Sequence, residues 1–343
     1  MANTFGLDIG SNFIKTVWLT KTDKDYFLSS VFSSPTPARG MLSESPLDQE
    51  EMSKAISQIV SNANIKTKKV NIALPENQVF TRIIEMPNLS EKELASAIYY
   101  EAEQYIPIPI KEVTLDYKII NRPLPQDPKQ VMNVLLVGAP NSIIHKYENV
   151  ITLAGLELVS IEGEIISIFR SVVREDNFPP SIILNIGASS SSMAIARNSL
   201  LVFVYSISIG GTALTRAIAS DFGFSTQQAE EYKKTYGVEK ENFSGKIGRA
   251  ALPILANLST EVKKAIAFYK EKYANEDLIS QIILTGGSAN LPGLDAYFTS
   301  DTGIETIVAN PWDILKNKDQ LPQELKETAP SFTTAVGLAM RDL

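Results

Sequence analysis

The stretch Thr4 to Leu19, TFGLDIGSNFIKTVWL, decides the fold of this chain. Phe5 and Leu7 alternate with Gly6 and Asp8, Gly10 breaks the run, and Ile14, Val17, Trp18 and Leu19 resume it. That pattern predicts a strand, a tight turn and a second strand. Gly10 allows a turn where a side chain would clash. Ser11, Asn12 and Phe13 then offer successive backbone N–H groups outside the ladder, a concavity that suits phosphate oxygens. Asp8 stands at the strand end, where it can hold a hydrated Mg²⁺, an ion that takes one or two carboxylates plus waters. Lys15, seven residues on, brings a positive charge to the same phosphates. Taken alone, these residues also fit an ordinary hairpin with a solvated acid.

A second stretch, Ser181 to Thr212, reads SIILNIGASSSSMAIARNSLLVFVYSISIGGT. An apolar strand (Ile182, Ile183, Leu184, Ile186) is again followed by a glycine, Gly187, and small residues, Ala188, Ser189 and Ser190. Strands resume at Met193 and at Leu200. The I-G-S of the first loop and I-G-A-S of the second stand in matching places, so Asp8 corresponds to Asn185. Two such units, each opening a half of the chain, predict two related domains facing one cleft.

Paired hairpins of this kind resemble the actin-like ATPases, which include actin, the seventy-kilodalton chaperones, sugar kinases and FtsA. Thr285-Gly286-Gly287-Ser288, after the strand Gln281 to Leu284, resembles that group's adenosine motif, and Ala229 to Lys233 resembles the FtsA-type helix whose Glu and Lys, here Glu230 and Lys233, touch ribose and adenine. More specifically, EAEQYIP at 101–107 with Asp116-Tyr117, then Gly210-Gly211-Thr212, LTGGSANLPGL at 284–294 and AVGLAMR at 335–341 resemble the PilM family of type IV pilus assembly proteins, from about residue 3 to the C-terminus. The resemblance implies an α/β actin-like ATPase fold with an inserted subdomain 1C. It implies ATP and Mg²⁺ as cofactors, Asp8 being the metal ligand. It places residues 1–75, 158–180 and 331–343 in subdomain 1A, 76–157 in 1C, 181–212 and 277–330 in 2A, and 213–276 in 2B. Glu162 and Glu164 fall where these proteins carry a residue near the cleft; the same acids also suit a solvated helix start.

The composition narrows the function. At 343 residues, 44% apolar and 21% charged, the chain has the make-up of a globular protein with two or more domains. No apolar run approaches the ~20 residues of a membrane helix, and Met1 leads straight into a strand, predicting no signal peptide. The absence of cysteine excludes disulfides, thiol nucleophiles and thiolate zinc sites. A net charge of −7 without a basic block argues against nucleic acid and direct membrane binding. The one histidine, His145, sits on a helix from Ser142 to Ala154 and reads as solvated or capping.

Between the motifs, Asp48 and Glu51 suggest a capping box opening the first helix, as do Ser90 with Glu93 and Ser225 with Gln228. Residues 76–157 read as strand, helix (Glu91 to Tyr105), two strands joined by a Pro-rich turn over 122–129, and the helix with His145, giving helices layered on a small sheet. Helices are also expected over 212–221, 247–272 and 331–342.

Three functions compete: an ATP-binding adaptor, a kinase, and an FtsA-like filament protein. A kinase needs a carboxylate to deprotonate its acceptor, and none stands beside either loop except Asp8. Actin-like ATPases usually carry Asp where this chain has Asn185; losing that carboxylate weakens the metal shell and removes a base. Nucleotide binding with slow or absent hydrolysis is therefore expected, with no catalytic residue named. Filament or homo-oligomer contacts have no local signature. The family resemblance implies a cytoplasmic protein held at the inner membrane by a partner, the N-terminal tail of PilN, with further contacts to pilus inner-membrane proteins and motor ATPases. Tyr99, Tyr100, Tyr105, Ile106 and Ile108, around Pro107 and Pro109, offer an aromatic wall for such a tail; Tyr105 and Ile106 fit the unit's own core equally well.

Overall fold

The computed structural model describes residues 4–23, 25–124, 130–239, 245–274 and 277–343. The first half opens with β1 (Thr4–Ile9), β2 (Phe13–Thr22), β3 (Asp25–Pro35), α1 (Pro46–Asn62) and β4 (Lys69–Leu74). A small unit follows with β5 (Phe80–Pro87), α2 (Glu91–Ala102), β6 (Val113–Asn121) and β7 (Val131–Pro140). Next come α3 (Asn141–Leu153), β8 (Glu157–Gly163) and α4 (Glu164–Val172). The second half holds β9 (Ser181–Ile186), β10 (Ser191–Arg197), β11 (Leu200–Ile207), α5 (Gly211–Phe222), α6 (Thr226–Tyr236), α7 (Lys246–Lys272), β12 (Gln281–Thr285), α8 (Leu294–Thr302) and β13 (Glu305–Val308), with α9 (Gln323–Glu327) and α10 (Thr333–Ala339) closing the chain.

Two five-stranded sheets have the same plan. One runs β3-β2-β1-β4-β8 and the other β11-β10-β9-β12-β13. In each, three antiparallel strands are continued by two that run parallel to the first. The central parallel strands are buried along nearly their whole length, as in VNIAL of β4 and SIILNI of β9, which is why they read as apolar runs without alternation. The repeat seen in the loops thus extends to the whole sheets.

The third sheet, β5-β7-β6, is antiparallel. Alternate residues of β7 point to its two faces. Met132, Val134 and Leu136 pack with Leu94 and Ile98 of α2, while Leu135 and Val137 pack with Ile165 and Ile168 of α4 and Ile183 and Ala194 of the second large sheet. The small sheet is therefore wedged between α2 and the α4 side of the molecule.

Several local expectations change. α3 does not layer on the small sheet: its Tyr147, Val150 and Ile151 join Met52, Ile56 and Ile59 of α1 in the core of the first large sheet. The reason is volume, since α2 already fills the free face. α1 starts with Ser45 as N-cap and Pro46 at its first position rather than with an Asp48 and Glu51 box, because the fixed φ of proline suits that position; Asp48 instead accepts from Ser43. The boxes at Ser90 and Ser225 form. α2 ends at Ala102, and Ile106 turns inward to 5% exposure in the small-sheet core, out of the proposed aromatic wall. The Pro-rich turn expected over 122–129 lies largely outside the described residues. His145 is exposed, with Nδ1 3.2 Å from Glu148.

α10 is buried throughout and lies against β1 on one side and α4 on the other. Two glycines permit that approach: a Cβ at Gly6 would stand 2.2 Å from the Ala335 carbonyl oxygen, and one at Gly337 1.8 Å from that of Ser167. Just before α10, Pro330 accepts from Gly286 N–H and, with Thr333, from the Thr285 hydroxyl. The C-terminal segment so ties the end of β12 to the first large sheet.

Candidate functional site

The equivalent turns of the two large sheets face each other. Gly10 N–H donates to Phe13 O at 3.0 Å and Gly187 N–H to Ser190 O at 3.0 Å. In both, a Cβ on the glycine would come within 2.8 Å of that same carbonyl oxygen. The tips meet through Ser11 Oγ and Ser189 Oγ, 2.9 Å apart. Beneath them lies a cleft of about 170 Å³.

Strand register places the charged groups. Asp8 pairs across the hairpin with Lys15, and in the second sheet Asn185 pairs with Ser192. Lys15 Nζ is 3.5 Å from Asp8 Oδ2. Burial still pushes the Asp8 carboxyl above its ordinary range, against the pull of Lys15, so further positive charge at this point is favourable. Glu164, at the first turn of α4, accepts from Asn185 Nδ2 at 3.2 Å and Ser192 Oγ at 3.0 Å. Burial, with Asp8 nearby, pushes its carboxyl up to about 7. The two halves of the molecule are thus joined at the cleft floor by an amide–carboxyl bond.

On the far wall, Lys233 Nζ donates to Gly211 O at 3.1 Å and Thr215 Oγ1 at 2.8 Å and lies 2.7 Å from Glu230. Burial opposes the Glu230 charge, but the bonds from Lys233 and Thr215 prevail and hold its carboxyl below the usual range; burial likewise lowers Lys233. Gly211 has no room for a side chain, since a Cβ would stand 2.4 Å from Ser288 Oγ. Gly286 takes φ +88°, the left-handed region, with Asn185 Oδ1 2.4 Å from where its Cβ would be. Gly287 meets nothing within 4 Å and leaves an open backbone face.

Of the residues singled out in the sequence, Asp8, Gly10, Ser11, Asn12, Phe13, Lys15, Asn185, Gly187, Ala188, Ser189, Ser190, Gly211, Glu230, Lys233, Gly286, Gly287 and Ser288 all line the cleft. Gly210 does not; it packs beneath the second turn, a Cβ there being 2.6 Å from Ala188 O. Glu162 and Glu164 part company. Glu162 is clamped by Arg170 at 2.7 and 2.8 Å and neighboured by Arg341, while Glu164 faces the cleft; strand alternation alone would put the two on one face, and the change from strand to helix after Gly163 parts them. Pro75, Ser331 and Thr334 also line it and carry no local signal. Among the described residues no group of three or more acidic or histidine side chains is arranged around a metal position. Asp8 offers a carboxylate below the glycine turns, and the second cleft acid, Glu164, is already bonded to Asn185 and Ser192; one available carboxylate suits an ion held mostly by phosphates and water.

The sequence pattern of the family described as type IV pilus assembly protein PilM matches residues 6–343. The chain belongs to the PilM family. It is similar to the solved PilM–PilN type IV pilus biogenesis complex, with 28% identity over 99% of this chain and 98% of that chain and a TM-score of 0.86. Among curated proteins it is similar to cell division protein FtsA of Streptococcus pneumoniae, 25% identical over 84% of this chain and 71% of that protein. MreB5 of Spiroplasma citri bound to AMPPNP shares the fold, with a TM-score of 0.52 at 15% identity over 97% of this chain and 94% of that chain. This PilM-family chain therefore has the actin-like ATPase fold and is an actin-like protein of type IV pilus assembly; the FtsA-like filament alternative is not favoured. Among the described residues no helix is long and apolar enough to cross a membrane.

Proposed function

We propose that this PilM-family chain binds ATP in the cleft, with Mg²⁺ at Asp8, and acts as an adaptor that takes the N-terminal tail of PilN and links it to the pilus motor. The observation that carries the nucleotide half is the pair of equivalent glycine turns at Gly10 and Gly187, facing one another above Asp8 and Lys15. Turn N–H groups and Lys15 suit the phosphates; Glu230, Lys233 and the open backbone at Gly287 suit the nucleoside. Mg²⁺, when bound, would neutralise phosphate charge beside Asp8. The expected division into subdomains 1A, 1C, 2A and 2B is kept, with α3 reassigned to the first large sheet.

ATP with Mg²⁺ is expected to raise the melting temperature by mass action, equivalent to about 2.7 kcal/mol at a hundredfold excess over the dissociation constant. Asp8→Ala should lose most of that shift. No shift of the wild type at millimolar ATP would refute nucleotide binding.

Slow or absent hydrolysis follows from Asn185. Asn185→Asp places a second carboxylate against Glu164 Oε1, so the free variant is expected to lose stability relative to the wild type as rising pH ionises both acids. ATP turnover should rise, measured as phosphate release, because the variant restores a metal-facing carboxylate. An unchanged rate would assign the slow step to cleft geometry instead.

For the PilN tail, Tyr99 and Tyr100 of α2 are 52% and 77% exposed, whereas Ile106 is core and Tyr105 is held by Glu101 at 3.2 Å with Arg82 over its ring. Exposed tyrosines are favoured anchors, each worth ~2 kcal/mol when central to an interface. Calorimetry with a synthetic PilN tail should show the Tyr99→Ala, Tyr100→Ala double variant binding at least tenfold more weakly. Equal affinity would place the tail elsewhere. Excision of 76–157 would not test this, since it removes α3 from the main core.

A further inference from the structure

The small unit is inserted between β4 and α3, two elements that belong to the first large sheet and its core. Its inner face nevertheless lies against the second large sheet. Ile83 of β5 and Leu135 of β7 stand opposite each other in register, and Val137, two residues on, shares their face. These side chains form one apolar core with Ile165 and Ile168 of α4, and with Ile183 of β9, Ala194 of β10 and Leu201 of β11. The α4, β9 and β10 members of that core have no exposed surface. A single packed body therefore holds residues of the first half, the second half and the inserted unit.

This core lies directly under the cleft floor. Asn185 and Ser192 pair across β9 and β10, and Ile183 and Ala194 are the next pair along on the same face of the sheet. α4 meets both pairs: Glu164 at its start accepts from Asn185 and Ser192, and Ile165 and Ile168 pack with Ile183 and Ala194. The described chain crosses between the two large sheets over residues 173–180 and 309–332, and connections of that kind serve as hinges. The small unit spans them as a third link. β5 runs beside β11, and Glu85 of β5 lies 3.0 Å from Lys272 at the end of α7, a helix embedded in the core of the second half through Leu255 and Val262. Rotation of one large sheet against the other would draw Leu135 and Val137 off Ile183 and Ala194 and uncover apolar surface. A core packed to this density has no smooth way to deform.

We propose that the small-sheet unit is a brace across the hinge between the two halves: it fixes the angle between the large sheets, so that the cleft keeps one geometry with and without nucleotide. Nucleotide then enters a preformed site and does not pull two lobes together, and the protein presents one fixed shape to its partners. The fixed angle does not depend on whether nucleotide binds; only the comparison made with nucleotide rests on that reading.

Distance measurement by double electron–electron resonance on the full chain tests it. The chain has no cysteine, so Gln58→Cys in α1 and Gln227→Cys in α6, both at exposed positions, place one spin label on each half and none elsewhere. The otherwise wild-type chain is expected to give a single narrow distance distribution, its mean unchanged to within ~1 Å when ATP and Mg²⁺ are added. Ile83→Ala combined with Val137→Ala trims the inner face of the brace and touches no cleft residue. That variant should broaden the distribution and let ATP shift its mean. If it fails to fold, Val137→Ala alone, at a half-buried site, makes the same comparison. A wild-type mean that moves by more than ~2 Å with ATP, a wild-type distribution as broad as the variant's, or a folded variant whose distribution stays narrow and unmoved overturns the proposal. If ATP produces no thermal shift, nucleotide binding fails on its own, and the widths measured without nucleotide still decide for or against the brace.

Discussion

Gly337→Ala is expected to destabilise the protein severely. A methyl group at 337 would lie 1.8 Å from the Ser167 carbonyl oxygen and 2.5 Å from its carbon, both backbone atoms of α4. Neither helix can retreat. α4 is packed on its other side against the small sheet and the second large sheet through Ile165 and Ile168, and Arg170 holds the Gly337 carbonyl at 2.7 Å. α10 is blocked in turn by β1, where Gly6 already admits the Ala335 carbonyl at a distance no Cβ allows. Overpacking a core costs ~1–3 kcal/mol where neighbours can shift and more where they cannot; against a total stability of ~5–15 kcal/mol, a loss of about 3 kcal/mol or more is expected. Urea denaturation against Gly287→Ala is the comparison, because a Cβ at 287 meets nothing and should cost little stability. A Gly337→Ala variant with a wild-type midpoint would mean that α10 and α4 do not pack this closely in solution.

Glu76→Gln is expected to stabilise the protein at alkaline pH. The sign follows from proton binding. Burial pushes the Glu76 carboxyl up to about 8 in the folded chain from an ordinary 4.5, so between those values the folded state holds the proton and the unfolded state has released it. Stability therefore falls as pH rises through this window and levels off above it. The full gap corresponds to an upper limit of ~5 kcal/mol, of which relaxation and water entry leave on the order of 2 kcal/mol. Glutamine has no proton to lose, and its NH₂ can donate to Thr81. Chemical denaturation at pH 6 and pH 9 should show the variant near wild type at the first and clearly more stable at the second. An equal loss at both would mean that the carboxylate is the native form.

The glycine turns were legible because they are local. Gly10 and Gly187 announce themselves within a few residues, and their apolar flanks set the strands. Asn185 was legible as the partner of Asp8 because the repeat aligns them, and strand register confirms the equivalence. What Asn185 does was not legible. Its amide bonds Glu164 from the other half of the chain, so an aspartate there would oppose a carboxylate that no local pattern places within reach. The aromatic segment after α2 was readable as apolar but not as to side: α2 ends at Ala102, and the turn that follows sends Ile106 inward.

By itself the sequence determined the doubled strand–turn–strand plan, the cleft glycines, the two capping boxes and the family, since each depends on residues close in the chain or on their order along it. Tertiary structure alone decided that α3 serves the first large sheet and that Gly210 supports the second turn rather than facing the cleft. It also decided that Glu76, featureless in a run of polar residues, meets Glu164 and Thr81 in a buried junction. Burial, like-charge proximity and unpaired polar atoms are properties of what packs around a group, and for Glu76 those neighbours come from α4, near residue 164, as well as from the adjoining turn.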